Sequence, residues 1–117
     1  MVQPEQGALS LAHLEENLKK ALTELLLLHL LSQKPSYIGE LTAHIHEKSN
    51  GVLNIIFPYG AIYRLQNAGY ICETEKRTAP DGRRRQYFTI TDLGRQYLEQ
   101  LLNTYERFNK GIADLLK

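Results

Sequence analysis

Tryptophan is absent from this chain and cysteine occurs once, as Cys72. A single thiol excludes an intrachain disulfide, so the fold must rest on its own core, and a reducing compartment is favoured. Long hydrophobic runs are lacking too. The most apolar stretch, Leu25-Leu26-Leu27-Leu28-His29-Leu30-Leu31, is far short of the roughly 20 residues of a membrane span and holds a histidine. Neither sign of charge dominates, because 14 Lys and Arg against 13 Asp and Glu leave a net +1. Affinity for nucleic acid would therefore come from local clustering of cations, not from a basic chain overall. Residues Met1 to Gln6 carry no positive n-region of a signal peptide, and the expected location is the cytoplasm. There is no Gly-rich phosphate loop, no pair of catalytic carboxylates and no Ser/His/Asp arrangement. His44 and His46 would face about 200° apart around a helix, the wrong geometry for one metal. Neither an enzyme nor a cofactor is expected.

What is present reads as one domain with a modest core, since the chain has 117 residues. Residues 1–8 read as a loose leader, 9–90 as the body and 91–117 as a terminal helix. From Leu9 to about Ser32 a helical pattern runs without Pro or Gly, with Leu11, Leu14, Leu18, Ala21, Leu25 and Leu28 in one apolar stripe. Pro35 ends it, and Ser36 can cap a second helix that stops at Asn50-Gly51, with Ile38, Leu41 and Ile45 as its buried face. Asn54 to Phe57 reads as a short apolar linker. A third helix is expected over Pro58 to Ala68, ended by Gly69, with Ile62 and Leu65 turned inward. Gly60, Tyr63, Arg64 and Asn67 fall on the opposite face, with Tyr59 at its boundary.

Gly69 to Gly94, GYICETEKRTAPDGRRRQYFTITDLG, is the most informative stretch. Ile71 to Arg77 has extended character, Pro80-Asp81-Gly82 makes a turn, and Arg83 to Ile90 alternates. Phe88 and Ile90 point one way, and Arg85, Tyr87 and Thr89 the other. Cys72 is expected to turn inward as a small filler. Lys76, Arg77, Arg83, Arg84 and Arg85 crowd around the tip, where they suit a phosphate backbone better than a core. Thr91-Asp92 offers a helix N-cap. In the last helix Leu98, Leu101, Tyr105, Phe108, Ile112 and Leu115 step by three and four, an a/d seam over roughly three heptads. That seam, with Leu11, Leu14 and Leu18 of the first helix, reads as a dimer interface. The alternative is packing within one subunit.

The fold class expected is mainly α with a small two-stranded β wing, a winged helix-turn-helix with long N- and C-terminal helices. In such a domain the third helix enters the major groove and the wing follows the flanking backbone. Arg64 and Asn67 can reach base edges, Tyr59 and Tyr63 can donate to phosphate, and Tyr87 of the wing is expected among the DNA-binding residues. Gly60 would let the helix approach closely. The competing reading is a winged-helix protein-interaction module that does not bind DNA specifically.

These residues also carry a family resemblance. Gly82-Arg83-Arg84-Arg85-Gln86-Tyr87-Phe88-Thr89-Ile90-Thr91 with Gly94 resembles the wing signature of PadR transcriptional regulators, G-x-x-R-K-Y-Y-x-L-T-x-x-G. Tyr59-Gly60-Ala61-Ile62-Tyr63-Arg64-Leu65, then Ala68-Gly69-Tyr70-Ile71, is similar to the family's recognition-helix pattern. The resemblance spans about Leu22 to Leu102. Three departures stand out. Ile38-Gly39 occupies the place of the family's Gly-Tyr pair, Asn54-Ile55-Ile56-Phe57 that of Ser-Pro-Gly-Thr, and Gln66 that of a common glutamate. The single C-terminal helix is that of the compact subfamily. The resemblance implies a homodimeric repressor on an inverted-repeat DNA operator, released in some members by a small aromatic or planar cationic ligand between the subunits. Tyr97, Tyr105 and Phe108 are the candidates to line such a pocket, although aromatic residues at helical spacing are more often core.

Overall fold

Ser10 opens the first helix, α1 (Leu11–Gln33), and its hydroxyl oxygen accepts the His13 N–H at 3.1 Å, as serine does at an N-cap. The computed structural model describes residues 9–117, and the expected leader at 1–8 lies outside the described residues. The leucine stripe of α1 divides in two. Leu25, Leu27, Leu28, Leu30 and Leu31 are buried, whereas Leu11, Leu14 and Leu18 are half exposed or more. The second half of α1 is thus the spine of the core, and the first half projects beyond it.

Ser36 does not cap the second helix. Its N–H donates to the Phe88 carbonyl at 3.0 Å and its carbonyl accepts the Phe88 N–H at 2.9 Å, so it joins the edge of the wing as an isolated bridge and is fully buried. The cap of α2 (Ile38–Lys48) is Tyr37, with no side-chain hydrogen bond. A strand partner 52 positions away overrode a local capping preference. Asn50 and Gly51 leave α2 at φ 57° and 80°, in the left-handed region that ends helices. Pro58 is the N-cap of α3 (Tyr59–Asn67) and not its first residue. Ala61, Ile62 and Leu65 turn into the core. Gly69, at φ 80°, closes α3 in a Schellman motif: its N–H returns to Gln66 and that of Tyr70 to Leu65, at 3.0 and 2.9 Å.

The wing is an antiparallel pair, β1 (Ile71–Thr78) and β2 (Arg84–Ile90), with Ile71 opposite Ile90 and Thr78 opposite Arg84. The expected turn is present, with Gly82 at φ 83° and its N–H on the Ala79 carbonyl at 2.9 Å. Between Glu73 and Lys76 the register slips by one residue. This β-bulge, where the Gln86 amide donates to the Thr74 carbonyl at 2.9 Å, bends the strand. Cys72 is exposed, a correction to the inward filler expected of it: Ile71 is the side chain of this pair that meets the core. Thr91 caps α4 (Asp92–Leu115), accepting the Gly94 N–H at 3.0 Å and donating to the Gly69 carbonyl at 2.6 Å. One threonine thereby ties the end of α3 to the start of α4. The core gathers α1, α2, α3, the base of the wing and Leu98 of α4.

Candidate nucleic-acid interface

The solvent face of α3 carries Tyr59 and Tyr63, 61% and 66% exposed and one turn apart. The other three residues expected on that face have different surroundings. The Arg64 Nε donates to Glu24 Oε1 of α1 at 2.8 Å, so this guanidinium is already held by a carboxylate. Gly60 lies under it, with Arg64 Nη1 3.4 Å from where a Cβ would stand. Asn67 is the last residue of α3, whereas the N-terminal residues of a recognition helix are those that meet base edges. Two neighbours went unnoticed in the sequence. In the apolar linker at 54–57 only Ile55 enters the core, while Ile56 and Phe57 remain exposed. The signal was three consecutive apolar residues in a loop too short to bury them all.

The wing cations also separate into two groups. Lys76, Arg83 and Arg84 are exposed and make no ion pair among the described residues. Arg77 lies over the Tyr87 ring, 4.2 Å from its centre, with Glu75 3.6 Å from its Nε. Arg85 donates to Asp81 at 2.7 Å and stands 5.5 Å from the centre of the Tyr37 ring. Its Nε is enclosed without a partner. Tyr87, expected among the DNA-binding residues, is buried at 6% exposure. Tyr37 meets its ring edge-on at 5.4 Å and Arg77 covers it. The alternation of β2 was right in direction, but its second face is roofed by the start of α2 and is not open to solvent.

Asp81 holds this tip together, accepting from the Arg85 side chain and, at 3.0 Å, from the Arg83 N–H. The same two hydrogen bonds, Arg85 first, hold its carboxyl below the usual carboxylate range. The clamp is therefore intact at neutral pH and opens only as pH falls through that lowered value. In Asp81→Ala the Arg85 guanidinium is free at any pH. The expected result is a steeper loss of DNA affinity with salt, by about 0.9 log units per decade for one more neutralised phosphate. A titration of binding against salt reads this, and an unchanged slope would mean that Arg85 never reaches the backbone.

The expected dimer seam is only partly free. Leu98 is buried in the core of its own chain and Leu101 packs against that core, so the first turns of the seam are used within the subunit. Tyr105, Phe108, Ile112 and Leu115 remain exposed along α4. Tyr105 and Phe108 face α1, for a cleft of about 450 Å³ is lined by Leu18, Ala21, Leu22 and Leu25 of α1 and Leu101, Thr104, Tyr105, Phe108 and Asn109 of α4. Tyr97 is not part of it. That ring stacks on Tyr70 at 4.3 Å, and burial, followed by the nearby Glu24 carboxylate, pushes its hydroxyl pKa up.

Three packed helices, α1 to α3, followed by a two-stranded wing with cations at its tip define a winged-helix domain. The sequence profile of the Transcriptional regulator PadR-like family matches residues 27–100, more than half of the chain. The chain belongs to that family, whose members are transcriptional regulators. Among solved structures it is similar to a transcriptional regulator from Clostridium thermocellum, at 27% identity and a TM-score of 0.77 over 86% of this chain and 96% of that one. It shares its fold with a PadR-like transcriptional regulator from Bacillus cereus, at 23% identity and a TM-score of 0.72 over 86% and 97% of the two chains. A PadR family regulator from Eggerthella lenta has the same fold, at 20% identity and 0.75 over 91% of each chain. No curated protein matches the chain. Among the described residues no helix is long and apolar enough to cross a membrane.

Proposed function

We propose that this chain is a sequence-specific DNA-binding repressor that acts as a homodimer on an inverted-repeat operator. The observation that carries the reading is the pairing of a solvent-facing helix, α3, with a wing tip whose Lys76, Arg83 and Arg84 are exposed and without ion pairs among the described residues. In this reading α3 lies in the major groove and the wing tip neutralises phosphates beside it. Tyr59 and Tyr63 donate to the backbone. Arg77, Arg85 and Tyr87 hold the wing in shape. A second copy would cover the bare apolar side chains of α1 and α4, from Leu11, Leu14 and Leu18 to Tyr105, Phe108, Ile112 and Leu115. The cleft between those helices would then become an enclosed chamber, where a small aromatic or planar effector could sit and alter the spacing of the two reading helices.

The test is the salt dependence of binding to the duplex upstream of the chain's own gene, for the wild type and for Arg84→Ala. Arg84 is exposed and makes no ion pair among the described residues, so its loss should leave folding unchanged. It should weaken binding to every duplex alike and reduce the salt slope by about one. Equal slopes for the two proteins would remove the wing from the interface.

A further inference from the structure

Ile56 and Phe57 are the large apolar side chains left bare beside the reading helix, 64% and 82% exposed. A loop that had only to join α2 to α3 would gain nothing from them, and bare apolar side chains next to one another mark a binding surface. Their place is specific. They directly precede the buried Pro58 and the first turn of α3, the end of a recognition helix that meets base edges. Ile56 lines a groove together with Tyr59, Tyr37 and Arg85 on the wing side, and with Phe57 it lines a second groove beside Lys19 and Lys20 of α1, so the apolar tip sits at the leading end of α3 with cations on either side.

The polar candidates are displaced from that end. Arg64 is held by Glu24, and Asn67 is at the far end of the helix. On the floor of the major groove the apolar group is the C5-methyl of thymine. We propose that Ile56 and Phe57 read thymine methyl groups, so that specificity rests on A·T pairs met by an apolar lead-in rather than on arginine–guanine pairing. This inference rests on the DNA-binding reading above. Arg85, Lys19 and Lys20 line the grooves beside these side chains, and with the exposed cations of the wing they make DNA the occupant that charge favours over a second protein.

The experiment selects random-sequence duplexes on the full chain. It then resynthesises the enriched duplex with deoxyuridine in place of thymidine, one position at a time, which removes the methyl and keeps the pairing. The wild type should lose about fourfold in affinity at one or two thymines per half-site, the equilibrium equivalent of one buried CH₂. Phe57→Ala or Ile56→Ala should lose that sensitivity at its own position. Both side chains are exposed, so the folded state should survive either change. An enriched duplex on which no thymine is sensitive would overturn the proposal, as would identical deoxyuridine profiles for the wild type and both variants. Failure to enrich any duplex would overturn the DNA-binding reading itself.

Discussion

Phe108→Glu is expected to yield a folded monomer that has lost at least a hundredfold in operator affinity. Phe108 is 61% exposed on one chain and borders the cleft between α1 and α4, so in the proposed dimer it is at the centre of the covered surface. A glutamate there is harmless to the isolated subunit, because exposed substitutions usually change stability by less than about 0.5 kcal/mol. Across a dimer it would bury an unpaired carboxylate on each side, which costs several kcal/mol per ion. Each half-site would then have to be bound alone. Losing the second, tethered contact removes a gain of about 10²–10⁴. Sedimentation gives the mass, circular dichroism the fold and anisotropy the affinity. A dimer of unchanged mass would eliminate this surface as the interface.

Gly94→Ala should bring a large loss of stability, for among the described glycines it is the one where an added Cβ meets backbone within 3 Å. Within a helix this change ordinarily stabilises by about 1 kcal/mol. Here a Cβ would overlap the Tyr70 carbonyl oxygen and come within 2.8 Å of Ile90 Cγ1. Gly94 also gives its N–H to the Thr91 cap, and the Thr91 N–H in turn donates to the same Tyr70 carbonyl at 3.0 Å. Backbone is pressed on backbone at the junction of α3, wing and α4, so nothing can move aside without breaking the cap. Overpacking costs about 1–3 kcal/mol, and more where the neighbour is rigid. That is a large share of a total that lies near 5–15 kcal/mol, and Tm should fall by roughly 10 °C or more. In Gly111→Ala, where a Cβ meets nothing within 4 Å, the opposite sign is expected. Thermal unfolding of the two variants side by side would show whether packing or propensity governs Gly94, and a rise in Tm for both would refute the packing account.

The elements of this fold were legible where their causes are local. Pro35 ends α1, the Pro80-Asp81-Gly82 turn sets the wing, and Thr91 caps α4, each decided within a few residues. The corrections arise where partners are distant in sequence. Ser36 has the chemistry of a cap but is captured by Phe88. Tyr87 points away from Phe88 as alternation requires, yet Tyr37 roofs it. Arg64 lies on the outer face of α3 as helix geometry predicts, and Glu24, 40 residues earlier, holds it. The a/d spacing of α4 marked an apolar stripe correctly, but spacing is blind to where the subunit's own core stops, between Leu98 and Tyr105. The apolar lead-in at Ile56-Phe57 was hidden for the same reason, since a loop's composition does not say which of its side chains the core has room for.

The central claim is sequence-specific DNA binding, and the most direct test is fluorescence anisotropy. The chain is titrated onto the duplex upstream of its own gene and onto a scrambled duplex of the same composition, at two salt concentrations. Tighter binding to the native duplex is expected, weakening on both as salt rises. A folded protein that binds neither duplex, or binds both equally at each salt, would contradict it and favour a winged helix turned to protein interaction.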